Sequence, residues 1–297
     1  MVQGHPALFA MELLWRWSFG LGMLGLLFWA YAQLRPALYI ADGDAAMLHT
    51  TKIYLLVQTI MAIVEPLLPV ALKVLAALYV LGGLLWALIA ATGRGVILRT
   101  MVAWEASARG VATARPARRW ASYFALHAAR VLMLLILLIG YLGGILVASL
   151  VTAARPSVLL FVVVSMTVFF AAFLAWNYVN RVLGVAPLFV ACDGLSPLDA
   201  IGEAVVFLRS KGKALKAANL RGSILHLSAA VLVTLLGVAT PALRVSGVVL
   251  GLLWLVEALA YFVLADYLHL CRLGNLVAMA VGERAAAASI SPQTQPA

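Results

Sequence analysis

The chain has 297 residues, 65% of them apolar or aromatic and only 11% charged, where a soluble domain carries about 45–50% and about 25%. Mean hydropathy is +1.06 and the formal net charge +10. These values exclude a soluble enzyme, a disordered chain, a collagen and a disulfide scaffold, and they define an integral membrane protein.

A spanning helix needs about 20 mostly apolar residues, since hydrocarbon offers an open backbone no hydrogen-bond partner. Stretches between successive charged residues predict six spans, near 15–34, 70–93, 129–153, 157–180, 222–243 and 245–268. The last contains one acid, Glu257. The fold class is therefore an all-α polytopic transmembrane bundle, one domain over 1–284. Residues 53–64, apolar but bracketed by Lys52 and Glu65-Pro66, are short enough to be re-entrant or interfacial rather than spanning. No basic n-region precedes the first apolar run, so it does not read as a cleavable signal. Residues 285–297 read as a disordered polar tail.

Basic residues gather in two segments. One holds Arg94, Arg99, Arg109, Arg115, Arg118 and Arg119, the other Arg181, Arg209, Lys211, Lys213, Lys216 and Arg221. The positive-inside rule makes both cytoplasmic, with both termini inside and 36–69 outside an inner (plasma) membrane. Arg115, Arg118, Arg119, Arg209, Lys211, Lys213 and Lys216 are the expected contacts to anionic lipid headgroups, worth about 1 kcal/mol each near such a surface. Nucleic acid is not expected as a partner, because the charge follows membrane orientation.

Cys192-Asp193-Gly194 signals a turn. Ser196-Pro197-Leu198-Asp199 then starts a helix with a serine cap, proline at N1 and an acid at N3. Leu198, Ile201, Val205 and Leu208 make one apolar stripe, and Arg209, Lys211, Lys213 and Lys216 complete a basic amphipathic helix over 197–217, expected in the headgroup plane.

From Asn180 the chain resembles uncharacterised bacterial six-helix membrane proteins, akin to the membrane domain associated with glycerophosphodiester phosphodiesterases. The residues carrying the resemblance are Asn180-Arg181, Ala186-Pro187-Leu188, Val190, Asp193-Gly194, Ser196-Pro197 and Ala200-Ile201, with Ala204 where that pattern has serine. The resemblance implies a fold and a membrane location. It implies no activity, because the chain lacks a phosphodiesterase barrel.

Glu257 lies about 20 Å along the last span from Arg244, near the bilayer midplane, where an ionised carboxylate costs several kcal/mol. Thr234 and Thr167, at comparable depth, are its candidate partners, while Lys73 lies nearer the outer face. Such an acid either locks packing or couples a proton or cation.

Gly20–Gly25 spells GxGxxG, but within a spanning helix this serves packing rather than a dinucleotide. Gly140/Gly144 and Gly247/Gly251 are small-residue pairs for helix packing within the chain or with a second copy. His127, His226 and His269 fall near the cytoplasmic interface, and read as boundary rings before they read as haem or metal ligands. Asp42 and Asp44 read as helix-start residues before they read as a cation site. Cys192 and Cys271 read as free thiols on the reducing side.

No HExxH, Walker A, G-x-S-x-G or metal-spaced cysteine pair occurs, so neither catalysis nor a cofactor is expected. The expected function is that of a non-catalytic integral membrane protein, a subunit or organiser of a larger assembly. The alternative is a transporter or lipid-handling protein using Glu257 inside the bundle.

Overall fold

The computed structural model describes residues 5–38, 47–48, 52–110, 119–153, 157–243 and 245–290. Among the described residues seven α-helices follow one another: α1 Pro6–Leu34, α2 Ile53–Ala108, α3 Trp120–Ala153, α4 Val158–Asp193, α5 Pro197–Ser210, α6 Gly212–Ala239 and α7 Gly247–Ile290. Short 3-10 turns cover Arg35–Ala37 and Thr240–Leu243, and there is no strand among the described residues. All but α5 are long and apolar enough to cross a membrane, which makes this an all-helical, multi-pass membrane protein by length and composition.

The helices are longer than the spans the charges delimit. At 1.5 Å per residue, the 56 residues of α2 extend about 84 Å and the 44 of α7 about 66 Å, against about 30 Å of hydrocarbon. Arg94, Arg99 and Glu105 of α2 and Arg272, Glu283 and Arg284 of α7 lie on helical extensions rather than in loops.

One compact unit comprises residues 1–15 and 90–297. Its apolar core is built from those extensions: Leu8 of α1; Ile97, Leu98, Met101, Val102 and Ala106 of α2; Tyr123 and Leu126 of α3; Val182–Cys192, Gly184 and Pro187 aside, of α4; Ala200, Ala204 and Phe207 of α5; Leu215 of α6; and Leu270, Leu273, Val277, Ala280 and Val281 of α7. The start of α1 and the end of α7 therefore share one core. We refer to this packed region as the head. By contrast, the most apolar windows of α4, α6 and α7 contain no buried residue.

The second unit comprises residues 16–89. Within it α1 and α2 run antiparallel, with Gly22 against Leu85 and Gly82 against Met23. A Cβ at Gly22 would come within 2.6 Å of the Leu85 side chain, so this glycine permits the close approach.

Three expected boundaries change. Residues 53–64 are not a separate segment: they are the first turns of α2, which continues through Pro66 and Pro69. The amphipathic helix ends at Ser210 rather than 217, because Lys211 leaves helical geometry (φ −101°, ψ 13°) and α6 begins at Gly212. The tail is helical as far as Ile290, with 291–297 outside the described residues.

Candidate functional site

The most elaborated part of the molecule is the elbow between α4 and α5. Gly194 closes α4 in the left-handed region (φ 64°), its N–H donating to the Val190 carbonyl. Only glycine and, less well, asparagine adopt this conformation cheaply. Ser196 then caps α5: its hydroxyl accepts from the Asp199 N–H at 3.4 Å and donates to the Asp199 carboxylate at 2.6 Å. Pro197 occupies the first helical position, where a missing N–H costs nothing.

The elbow is fastened by the far end of α7. Arg284 forms a two-pronged pair with Asp193, its Nε donating to Oδ1 at 2.9 Å and a terminal nitrogen to Oδ2. The same guanidinium donates to the Ala280 carbonyl at 2.9 Å and lies 5.4 Å from the Phe189 ring centroid. One residue earlier, Glu283 pairs with Lys211 at 3.0 Å. Bidentate, charge-assisted contacts of the arginine–carboxylate kind fix geometry as well as adding energy.

This explains residue by residue the motif read from the sequence. Ala186, Pro187, Leu188 and Val190 are buried in the head, as is Ala200 on α5. Ala204 is fully buried too, so its methyl sits where a hydroxyl would need a partner.

The face α5 presents to the core differs from the expected one. Ala200, Ala204 and Phe207 are buried, with the Phe207 ring edge-on to Phe189 at 5.6 Å. Ile201, Val205 and Leu208 are partly buried beside them, but Leu198 is 80% exposed. The helix thus packs most of its apolar stripe on protein and leaves Leu198 open. Lys211 and Arg221 are ten positions apart, about 15 Å along a helix, which is more than the roughly 5–8 Å depth of a headgroup layer.

Of the expected lipid contacts, Arg119, Arg209 and Lys213 are exposed, and Lys211 is engaged with Glu283. Arg115, Arg118 and the Lys216 side chain lie outside the described residues, as do Asp42 and Asp44.

Glu257 is bonded to a different threonine from those expected. Thr240, buried at the end of α6, has its hydroxyl 2.7 Å from Glu257 Oε1 and 2.7 Å from the Leu236 carbonyl, its single proton serving one of them at a time. Trp254 fastens the same α6–α7 pair through its indole N–H to the Gly237 carbonyl at 3.1 Å. Thr234 and Thr167 instead donate to Ala230 and Val163 of their own helices and are exposed. The acid therefore belongs to a two-helix hairpin, not to a site assembled from three spans.

The small-residue pairs also separate. Gly144 meets Val168 so closely that a Cβ would lie 2.4 Å from it, whereas Gly140, Gly247 and Gly251 have nothing within 4 Å. Gly144 is thus used inside the chain. In the fingerprint-like run only Gly22 has a close neighbour, in keeping with a packing role.

The histidines have different surroundings. His226 shares a hydrogen bond with the Tyr261 hydroxyl at 3.0 Å, while His127 is buried in the field of Arg94 and Arg130. Among the described residues no group of three or more His, Cys, Asp or Glu side chains is placed to hold a metal ion. Cys192 is a buried free thiol and Cys271 a partly buried one.

Two further acids are buried. Glu12, 1% exposed, accepts from the Trp15 indole at 2.9 Å, and Asp266 is also buried. Their signal was available: each lies three or four residues from an apolar core position, Leu8 and Leu270 respectively, on the same helical face.

No family model, no curated protein and no solved structure matches this chain.

Proposed function

We propose that the chain is a non-catalytic membrane protein, a subunit or organiser of a larger membrane assembly, with the head on the cytoplasmic side of an inner membrane. The observation that supports this reading is the distribution of packing. Burial is concentrated in the head, while α4, α6 and α7 leave their most apolar windows open along their length. In a bilayer such helices can accept other helices laterally, because association there rests on shape and polar contacts rather than on hydrophobicity. The exposed cations Arg119, Arg209 and Lys213 suit anionic headgroups around the head. The resemblance of 180–201 to six-helix membrane proteins fits the same reading, as Gly194, Ser196 and Pro197 build the elbow.

The test is photo-crosslinking in native membranes from Leu232 and Val256, both exposed on the α6–α7 pair. A discrete protein adduct supports the reading. Adducts with lipid alone contradict it.

A second reading, transport or lipid handling through Glu257, draws on a carboxyl placed within a span and held by Thr240. It predicts that Glu257→Gln abolishes proton- or cation-coupled uptake by proteoliposomes, whereas the organiser reading predicts no difference between the two proteins.

A further inference from the structure

We propose that α5 is an ionic strap, docked on the head by a buckle of two consecutive, oppositely charged residues of α7, Glu283 and Arg284. Those two residues hold the strap at both of its ends. Arg284 grips Asp193, just before the elbow, and Glu283 grips Lys211, just after the last turn of α5. Consecutive helical residues diverge by about 100°, which lets the pair reach opposite ends of a helix about 21 Å long.

Each end also carries a backbone pivot. Gly194 sits at φ 64° on one side, and Lys211 leaves helical geometry next to Gly212 on the other. Between the pivots Ala200, Ala204 and Phe207 are buried and Ile201, Val205 and Leu208 are partly buried beside them, so the apolar face seats the middle of the strap while the charges fasten its ends. Both ion pairs are part-exposed, at 30–41% of their side-chain surface, and are therefore open to screening by salt.

Opening the buckle frees the connection between α4 and α6 and uncovers the core beneath. Cys192, one residue before Asp193 and buried in the same cluster as Ala200, Ala204 and Phe207, reports that event. The strap acts within the head, so it stands or falls independently of whether the spans recruit partners.

The experiment uses the full chain in lipid nanodiscs, with Cys271→Ser leaving Cys192 as the single thiol, and follows its reaction with a membrane-impermeant maleimide. Cys192 reacts slowly in this background. Glu283→Lys accelerates labelling about 3-fold, and Arg284→Gln about 10-fold, as a lost bidentate, part-buried pair should. Lys211→Glu combined with Glu283→Lys restores the slow rate, and amide exchange rises over 197–210 but not over 182–190 when the buckle is broken. At 1 M salt, where the screening length is about 3 Å, labelling of the otherwise unaltered chain accelerates as well, a readout that requires no destabilising variant. Labelling unmoved by Glu283→Lys and by salt, or a charge swap as fast as the single variant, would overturn the proposal.

Discussion

Gly194 and Ser196 illustrate how far single residues determine this fold. Gly194 must hold φ 64°, a conformation costing a β-branched residue more than 1 kcal/mol. Gly194→Val should lower the melting temperature measurably in detergent, and Gly194→Asn much less. Ser196→Ala removes the cap of α5 and should cost about 1 kcal/mol by the same assay. Both residues were legible in the sequence, because turns and caps are local chemistry. Gly93 was not: a Cβ there would lie 2.3 Å from the Trp15 ring, a tertiary contact that no local pattern announces. Gly93→Val should therefore impair folding, while Gly20→Val, with nothing within 4 Å, should be tolerated. Glu257 shows the opposite outcome. Its depth on an ideal helix suggested Thr234 and Thr167, but the turn at 240–243 brings Thr240 to it instead. Straight-helix arithmetic gives depth and leaves azimuth and hairpin register open.

At the scale of elements, α5 distinguishes stripe from face. The stripe of largest side chains includes Leu198, yet the core receives Ala200, Ala204 and Phe207. Small residues are what allow α5 to lie close against α4, and a count of bulky residues overlooks them. Ala204→Glu should cost about 3 kcal/mol or more by burying an uncompensated charge. Val206→Glu, at a position 60% exposed, should stay within about 0.5 kcal/mol. Chemical denaturation of the two variants checks the pair. If Val206→Glu were the damaging one, the assigned face would be wrong.

The helix ends were misplaced for a related reason. Reading every charge as a boundary truncated α7, although Leu270, Leu273, Val277 and Ala280 carry a core face straight past Arg272. That three-and-four spacing was present in the sequence. Hydropathy averaged over a span suppresses it, because a helix leaving the bilayer becomes amphipathic rather than ending.

For the whole molecule, composition was decisive for class and for the six helices long and apolar enough to span, because a backbone in hydrocarbon has so few solutions. Composition did not disclose that the densest packing lies at helix ends. That packing joins the first helix to the last: Leu8 and Val281 share one core, and the Phe9 and Tyr267 rings meet edge-on at 5.9 Å. Truncation before Leu270 should therefore unfold the head as well as remove the end of α7, seen as loss of protection from limited proteolysis at 182–192.

Six crossings would place all of these helix ends on one face of the membrane. In intact spheroplasts of a cysteine-free background, single cysteines at Arg119, Lys213, Leu38 and Ser246 can be challenged with an impermeant maleimide. The account predicts that Leu38→Cys and Ser246→Cys are labelled from outside, and that Arg119→Cys and Lys213→Cys react only after the membrane is opened. Arg119 and Lys213 responding from opposite faces would contradict it.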